Sequence, residues 1–431
     1  MVEKQKLKRN RTKMFKAGAL YYAIFISFFI ALISGFLILQ HWYHQYYVLY
    51  VQQGERLERN INSALKVVLQ EPEEYGYDSI QNLDLYNDSL DMVKITKKIW
   101  GGYQLVRVDA DWRVVQKSKI TLCGTEILPK DAITLYLAED GKYLSLAGNT
   151  LIKGVCYLPK LGVSKAYIEG NGFSGDKLID GTIKESKSAL PVHDAMFVTN
   201  NKILQQNASP VSDSIIEAVN LNKSRILKNS FYNKTVRINT PSWLTLENQE
   251  ILGNIKISSQ KGISIKKTAI LQDIIVYAPK IEVEEGFTGS LQVFVTDTIM
   301  VGKNCTFRYP SLIALNETTI ENPLIEIGEG SKVLGDIVLL AISEKLNVLP
   351  LCRIGLNTAV NGSIYCQGKM EIKGTIKGQL FCKSFILRTR SSLYENHLLN
   401  NTINSEQLSP YYAGSLICTS DKLFKSIKCL D

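Results

Sequence analysis

A mainly β chain hung from one N-terminal membrane-spanning helix is what three features of this sequence predict. These are an uncharged apolar run behind Lys16, an amphipathic stretch after it, and glycine-punctuated β-prone segments over much of the remainder. The expected order is transmembrane helix, amphipathic stem, small α+β unit and then a β-solenoid (β-helix). The competing arrangement for the last part is an antiparallel β-sandwich.

The span comes first. Between Lys16 and Glu55 there is no acidic or basic side chain apart from histidine. Ala17 to Leu39 as a helix is about 34 Å long at roughly 1.5 Å per residue, enough to cross a hydrocarbon core of about 30 Å. Lipid offers no partners to backbone N–H and C=O groups, so such a segment must be helical. Residues 1–16 carry Lys4, Lys6, Lys8, Arg9, Arg11, Lys13 and Lys16 against Glu3, and His41, Trp42, Tyr43, Tyr46, Tyr47 and Tyr50 follow the span. Basic residues on one flank and aromatics on the other place the tail in the cytoplasm and the bulk of the chain outside it. A cleaved signal peptide fits less well, because the run is long and bulky aromatics, not small residues, follow it.

Composition then bounds the rest. A chain of 431 residues has room for two or three domains. Net charge is +9, of which the tail's seven cations and one anion supply six, leaving the remainder near +3. That balance argues against nucleic acid as a partner and against a strongly acidic substrate. The tail suits anionic lipid headgroups. Eight cysteines are widely spaced with no Cys-x-x-Cys pair. They read as buried thiols, with Cys418–Cys429 as the bridge to expect if disulfides form. With four histidines, two of them beside the span, no metal site is expected.

Residues 40–72 read as aromatic belt and stem. Leu57, Ile61, Leu65, Val68 and Leu69 recur at helical spacing, and Glu71-Pro72 ends the run. Residues 73–140 read as the α+β unit. Asp91 to Ile99 is expected as a short helix. Tyr103 to Asp109 and Trp112 to Gln116 are expected as a hairpin turning at Asp109-Ala-Asp, with two further short strands between Ile120 and Leu137.

From residue 141 the texture changes. Segments such as Leu151-Ile-Lys-Gly-Val-Cys-Tyr-Leu and Leu178-Ile-Asp-Gly-Thr-Ile183 place glycine between branched residues, and 141–192 reads as the first rungs of a solenoid. Residues 193–240 lose the pattern. Val211 to Val219, with Ser212 or Asp213 as cap, reads as a helix in an insertion. The pattern returns over 241–390, in Ile251-Leu-Gly-Asn-Ile-Lys-Ile257, Val333-Leu-Gly-Asp-Ile337, Val360-Asn-Gly-Ser-Ile364 and Ile372-Lys-Gly-Thr-Ile376. Each unit buries one or two branched side chains inward and cannot do so alone, so units must stack. Ile281 and Ile299 occupy equivalent places in successive units. Residues 391–431, with Ser391 to Asn400 as helix or loop and a strand at Tyr411 to Ile417, read as the C-terminal cap.

The Gly-x-Ile pattern between about 250 and 390 resembles the β-helix of bactofilins, polymer-forming bacterial cytoskeletal proteins. That resemblance implies self-association. The anchor, stem and β-rich head resemble the layout of pseudopilins, without their processing motif.

Chemistry is hard to find. His193 precedes Asp194, while Asp109, Asp111, Asp176, Asp180 and Asp297 are scattered. Carbohydrate-cleaving β-helices use clustered carboxylates that shift one another's pKa. Here no rung-to-rung recurrence of Asp exists. Asp176 and Asp180 read as turn residues and His193-Asp194 as surface polar groups. Ser164, Ser174 and Ser186 lack a nucleophile-elbow context. No catalytic, cofactor-binding or metal residue is assigned. The expectation is a non-enzymatic protein of a bacterial envelope, single-pass in the inner (cytoplasmic) membrane, with a periplasmic or extracellular head for assembly or scaffolding. Its partners would be the lipid bilayer and itself or an envelope assembly machine. The alternative is a membrane-tethered glycan-binding or carbohydrate-active protein.

Overall fold

The computed structural model describes residues 16–87, 91–113, 115–128, 132–192, 197–199, 213–217, 225–316, 323–341, 349–417 and 423–430. Helix α1 (Lys16–Gln70) is unbroken. By length and composition it is able to cross a membrane. From Leu20 to Val51 its large apolar side chains are exposed to solvent. Further along, Leu57, Ile61, Ala64, Leu65 and Val68 form a buried stripe that packs on an antiparallel sheet.

That sheet is β1 (Ile80–Asp84), β2 (Met92–Trp100), β3 (Tyr103–Trp112) and β4 (Val115–Glu126), in that order. The chain's last strand, Phe424–Leu430, and the short strand Ala413–Gly414 both pair with β4. Polar clamps reinforce the helix seat. Arg56 and Asn60 both donate to the Asp91 carboxylate, and Lys117 pairs with Glu58 at 2.9 Å. Beyond the helix end, the buried Lys97 ammonium donates to the carbonyls of Pro72 at 2.7 Å and Tyr75 at 2.8 Å.

The larger body is a parallel, solenoid-like sheet. Ile270–Val283, Thr288–Val301, Thr306–Leu315, Lys332–Leu339, Ala359–Ile372 and Thr375–Arg388 pair in parallel succession. Register lines up single-file apolar columns. One runs Ile257, Val276, Val293, Ile313, Ile337, Ile364, Leu380 and Leu135. Ile281 pairs with Ile299. Every member of that column is buried. Fully burying each such side chain is worth roughly 1.5–3 kcal/mol. Parallel pairing of this kind excludes the sandwich.

The recurring glycine has a steric cause. Gly335 has φ 146°, and Gly362 and Gly378 stack on it in register. A Cβ on Gly362 would sit 2.0 Å from the Gly335 carbonyl oxygen, and one on Gly378 1.9 Å from that of Gly362.

Several expectations are corrected. Asp91 to Ile99 is strand β2, not helix. Its burial alternates, with Val93, Ile95 and Lys97 inward. Asp109-Ala-Asp lies inside β3, and the turn falls at Arg113, φ 53°. Ser214–Glu217 is a strand paired in parallel with Val236–Thr240 and not a helix. Val211, Ser212 and the residues after Glu217 in that segment lie outside the described residues. Nor is 193–240 an insertion that leaves the stack. Ile226–Asn229 and Val236–Thr240 are rungs at one end of it.

The C-terminal segment does not cap an end. Ile133–Leu137 pairs with Thr375–Arg388, and Thr402–Asn404 pairs with both Thr375–Arg388 and Leu151–Lys153. Residues 393–404 therefore form strands inside the stack, where the first rungs of the chain meet the last. The chain completes its first rungs at Ile183–Glu185, at one end of the pile, and re-enters at Ser214, at the other. Part of the crossing follows the flank. Tyr365 donates to the Pro191 carbonyl at 2.7 Å, and Phe197 is buried beside Gly102.

Six cysteines, Cys123, Cys156, Cys305, Cys352, Cys366 and Cys382, are buried free thiols. Cys429 is exposed and also a free thiol; Cys418, its expected partner, lies outside the described residues.

Candidate functional site

The solenoid's outer flank carries a row fixed by register: Arg237, Lys256, Ile275, Gln292, Leu312 and Asp336. The antiparallel sheet covers the middle of this row. Gln292 accepts a hydrogen bond from the Gly102 N–H at 2.7 Å and donates to the Trp100 carbonyl at 3.1 Å. Tyr103 donates to the Ser311 carbonyl at 3.4 Å. At the Arg237–Lys256 end the two sheets diverge. They leave a cleft of about 850 Å³ between the β1–β3 side of the sheet and the segment Phe231–Arg237.

The cleft is built from charge and aromatic surface together. Arg237 is buried and paired with Asp213. Arg107 donates to Asp109 at 2.9 Å and lies 5.8 Å from the Tyr232 ring centre. The Tyr232 hydroxyl donates to the Ser118 carbonyl at 3.0 Å, fixing its ring at the rim. Lys256 places its ammonium 5.0 Å from the Trp100 ring centre, and Phe231 meets Trp100 edge-on at 5.3 Å. Burial, with the Arg237 charge adding to it, brings the Lys256 ammonium down to a pKa of about 8. The Asp213 and Asp78 carboxylates offset only part of that loss of hydration, since Lys256 makes an ion pair with neither among the described residues.

No family model, characterised protein or solved structure matches this chain. The geometry alone therefore defines the site: a cation-rich cleft with aromatic walls.

Few of the acidic residues singled out in the sequence come near it. Asp109 does, tied to Arg107. Asp111 pairs with Lys94 at 3.3 Å, Asp180 with Lys177 at 3.4 Å and Asp297 with Lys280 at 3.3 Å, each apart from the others. His193 and Asp194 lie outside the described residues. Ser164 hydrogen-bonds Ser145 at 3.1 Å, and Ser174 donates to the Gly148 carbonyl at 3.0 Å. Among the described residues no three His, Cys, Asp or Glu side chains cluster as metal ligands.

Lys256, Trp100 and Tyr232 were invisible as site residues in the sequence. Lys256 sits in Ile255-Lys-Ile257, where alternation marks it as outward-facing. Nothing in a local pattern reveals that a separate sheet overhangs that outward face.

A second charged row lies on another face. Arg353 bridges Glu326 and Glu371, both at 3.0 Å, and Lys373 also reaches Glu371 at 3.4 Å. This row satisfies itself.

Proposed function

We propose that the protein is a single-pass envelope protein of the inner (cytoplasmic) membrane that holds a non-enzymatic solenoid head outside the cytoplasm for assembly or scaffolding. One observation carries this reading: α1 runs without a break from a solvent-exposed apolar stretch into a face buried on the head. A catalytic head tethered for reach would suit a flexible linker, whereas a stiff stem fixes the height and orientation of what it holds. The basic residues before Ala17 and the aromatics after Leu39 support an N-terminus in the cytoplasm. The terminal rung Ile183–Glu185 supports self-association, as does the resemblance to bactofilins. Among the described residues it pairs along one edge, with Val155–Leu158, and its side chains are exposed. A strand edge of that kind can template another chain.

The test is sedimentation of the full chain in mild detergent over a hundredfold concentration range, on the order of micromolar upward. Reversible growth of oligomers is expected. A monomer at every concentration overturns the scaffold reading. Protease protection in closed vesicles tests the orientation separately.

The cleft favours a second reading, a tethered glycan-binding protein. Aromatic walls beside charged groups suit sugar rings bearing acids. Its test is retention of the full chain on immobilised acidic and neutral polysaccharides. Equal failure on both rejects it.

A further inference from the structure

We propose that the cleft at the Arg237–Lys256 end of the solenoid flank binds an oxyanion, the carboxylate of an acidic sugar or a phosphate group, with Lys256 as its principal contact. The inference does not depend on where the membrane lies, only on the cleft.

Charge accounting within the cleft comes first. Arg237 is committed to Asp213 and Arg107 to Asp109. Lys98, Lys234 and Lys256 also line it, as does Asp78. None of these three lysines forms an ion pair among the described residues. The lining thus keeps an excess of cation after its internal pairs are made.

Burial is the second, independent observation. Lysines ordinarily let the ammonium reach water while the stem packs. Lys256 instead is only half-buried in the cleft wall, holds its ammonium over Trp100, and has Arg237 beside it in register. A cation–π contact offsets only part of the cost of taking an ion out of water. An oxyanion in the cleft would supply the missing counter-charge and at least one charge-assisted hydrogen bond. The cation that the chain itself leaves poorly matched is the one an oxyanion would satisfy.

Size and walls narrow the class further. At about 850 Å³ the cleft admits a mono- or disaccharide and excludes a duplex. Tyr232, exposed at the rim and fixed through its hydroxyl, offers a flat apolar face beside the cations. That combination suits a sugar ring carrying an acid. It suits a metal ion poorly, because Asp109 and Asp213 are already paired with arginine.

The experiment is calorimetric titration of the full chain in detergent with sodium glucuronate and, separately, inorganic phosphate at low ionic strength. Saturable binding of at least one is expected. Glucuronate alone assigns a sugar acid, and phosphate binding assigns a phosphate-bearing ligand. Lys256→Met should weaken binding about tenfold or more, the usual cost of losing a charged hydrogen bond. Lys261→Met, exposed and outside the cleft, should leave it unchanged. Absence of saturable binding by either anion, or equal affinity in K256M, overturns the proposal. If K256M fails to fold, the pH profile of the natural protein decides. Affinity should fall as pH rises above about 8, where Lys256 gives up its charge. A profile flat from about pH 7 to about pH 9.5 overturns the proposal just as firmly.

Discussion

The Asp336 carboxylate accepts a hydrogen bond from the Ser415 backbone N–H at 2.5 Å, across 79 residues of chain. Its other oxygen accepts from the Ser363 N–H at 2.8 Å and from the Tyr412 hydroxyl. Asp336 belongs to the solenoid flank, whereas Ser415 belongs to the tail that goes on to pair with β4. One buried carboxylate therefore fastens the C-terminal strap that joins the two sheets. Tyr309 closes the same corner, donating to the Ala413 carbonyl at 3.0 Å.

Asp336→Asn tests that fastening. The amide nitrogen must face a donor, either the Ser415 N–H or the pair formed by Ser363 and Tyr412. A destabilisation of about 1–3 kcal/mol is expected in urea unfolding, with the tail amides exchanging fastest. The pH sign follows from burial, which raises the Asp336 pKa in the folded state. Its contribution is fully present below the unfolded carboxyl range and is lost as pH rises through the raised folded value. Stability measured from acid upward should carry this falling component in the natural protein and lack it in D336N.

Gly362→Ala tests the stacking of corners. Its Cβ would meet the Gly335 carbonyl oxygen at 2.0 Å, and φ is 157°. Gly141 is the control: φ is 72° there but a Cβ meets nothing within 4 Å. G141A should cost about 1 kcal/mol from backbone conformation alone. G362A should cost several times that, or abolish folding, because backbone atoms must move in two rungs. Thermal melting of the two variants decides, and similar losses would mean the corner is not sterically set.

Much of this architecture was legible because its signals are local. The run from Ala17 to Leu39, the stripe Leu57, Ile61 and Leu65, and the Gly-x-Ile units each carry their meaning within a few residues. What stayed hidden is non-local. Ser214–Glu217 resembled a capped helix because its partner strand lies over the chain's next turn. Residues 393–404 looked terminal because nothing in sequence tells that Ile133–Leu137 joins Thr375–Arg388 and places them inside the stack. The cleft is of the same kind. Lys256 and Trp100 are far apart in the chain and meet only because the β1–β4 sheet lies on the flank.

Thiol labelling tests the burial of the cysteine columns. Cys366 stacks on Cys382 in register, and both are buried without a disulfide. Burial raises the Cys156 and Cys366 thiols to about 12, so they present almost no thiolate near neutrality. Maleimide on the native protein should modify Cys429, which is exposed, and spare the six buried thiols until denaturant is added. Peptide mass spectrometry reads the sites. Rapid native labelling of Cys366 or Cys382 would contradict the closed column.

The stem supplies the last test, since the proposed role rests on its stiffness. Ile61 is 2% exposed and packs on the sheet, while Leu49, three turns earlier on the same helix, is 55% exposed. Both are large aliphatic residues in one continuous helix, so their intrinsic helix preferences differ little. Their difference is contact. Ile61→Ala removes buried methyl groups from the helix–sheet seam and should cost about 2–4 kcal/mol of head stability. Leu49→Ala leaves the head untouched and should stay within about 0.5 kcal/mol. Hydrogen exchange of the amides between Gly54 and Gln70 gives the decisive readout. In I61A these amides should open well below the global unfolding energy, which makes the stem a hinge. In L49A they should keep the protection of the natural protein. Equal protection in both variants would show that α1 holds its line without the sheet, and the head would then be merely attached to the stem, not braced by it.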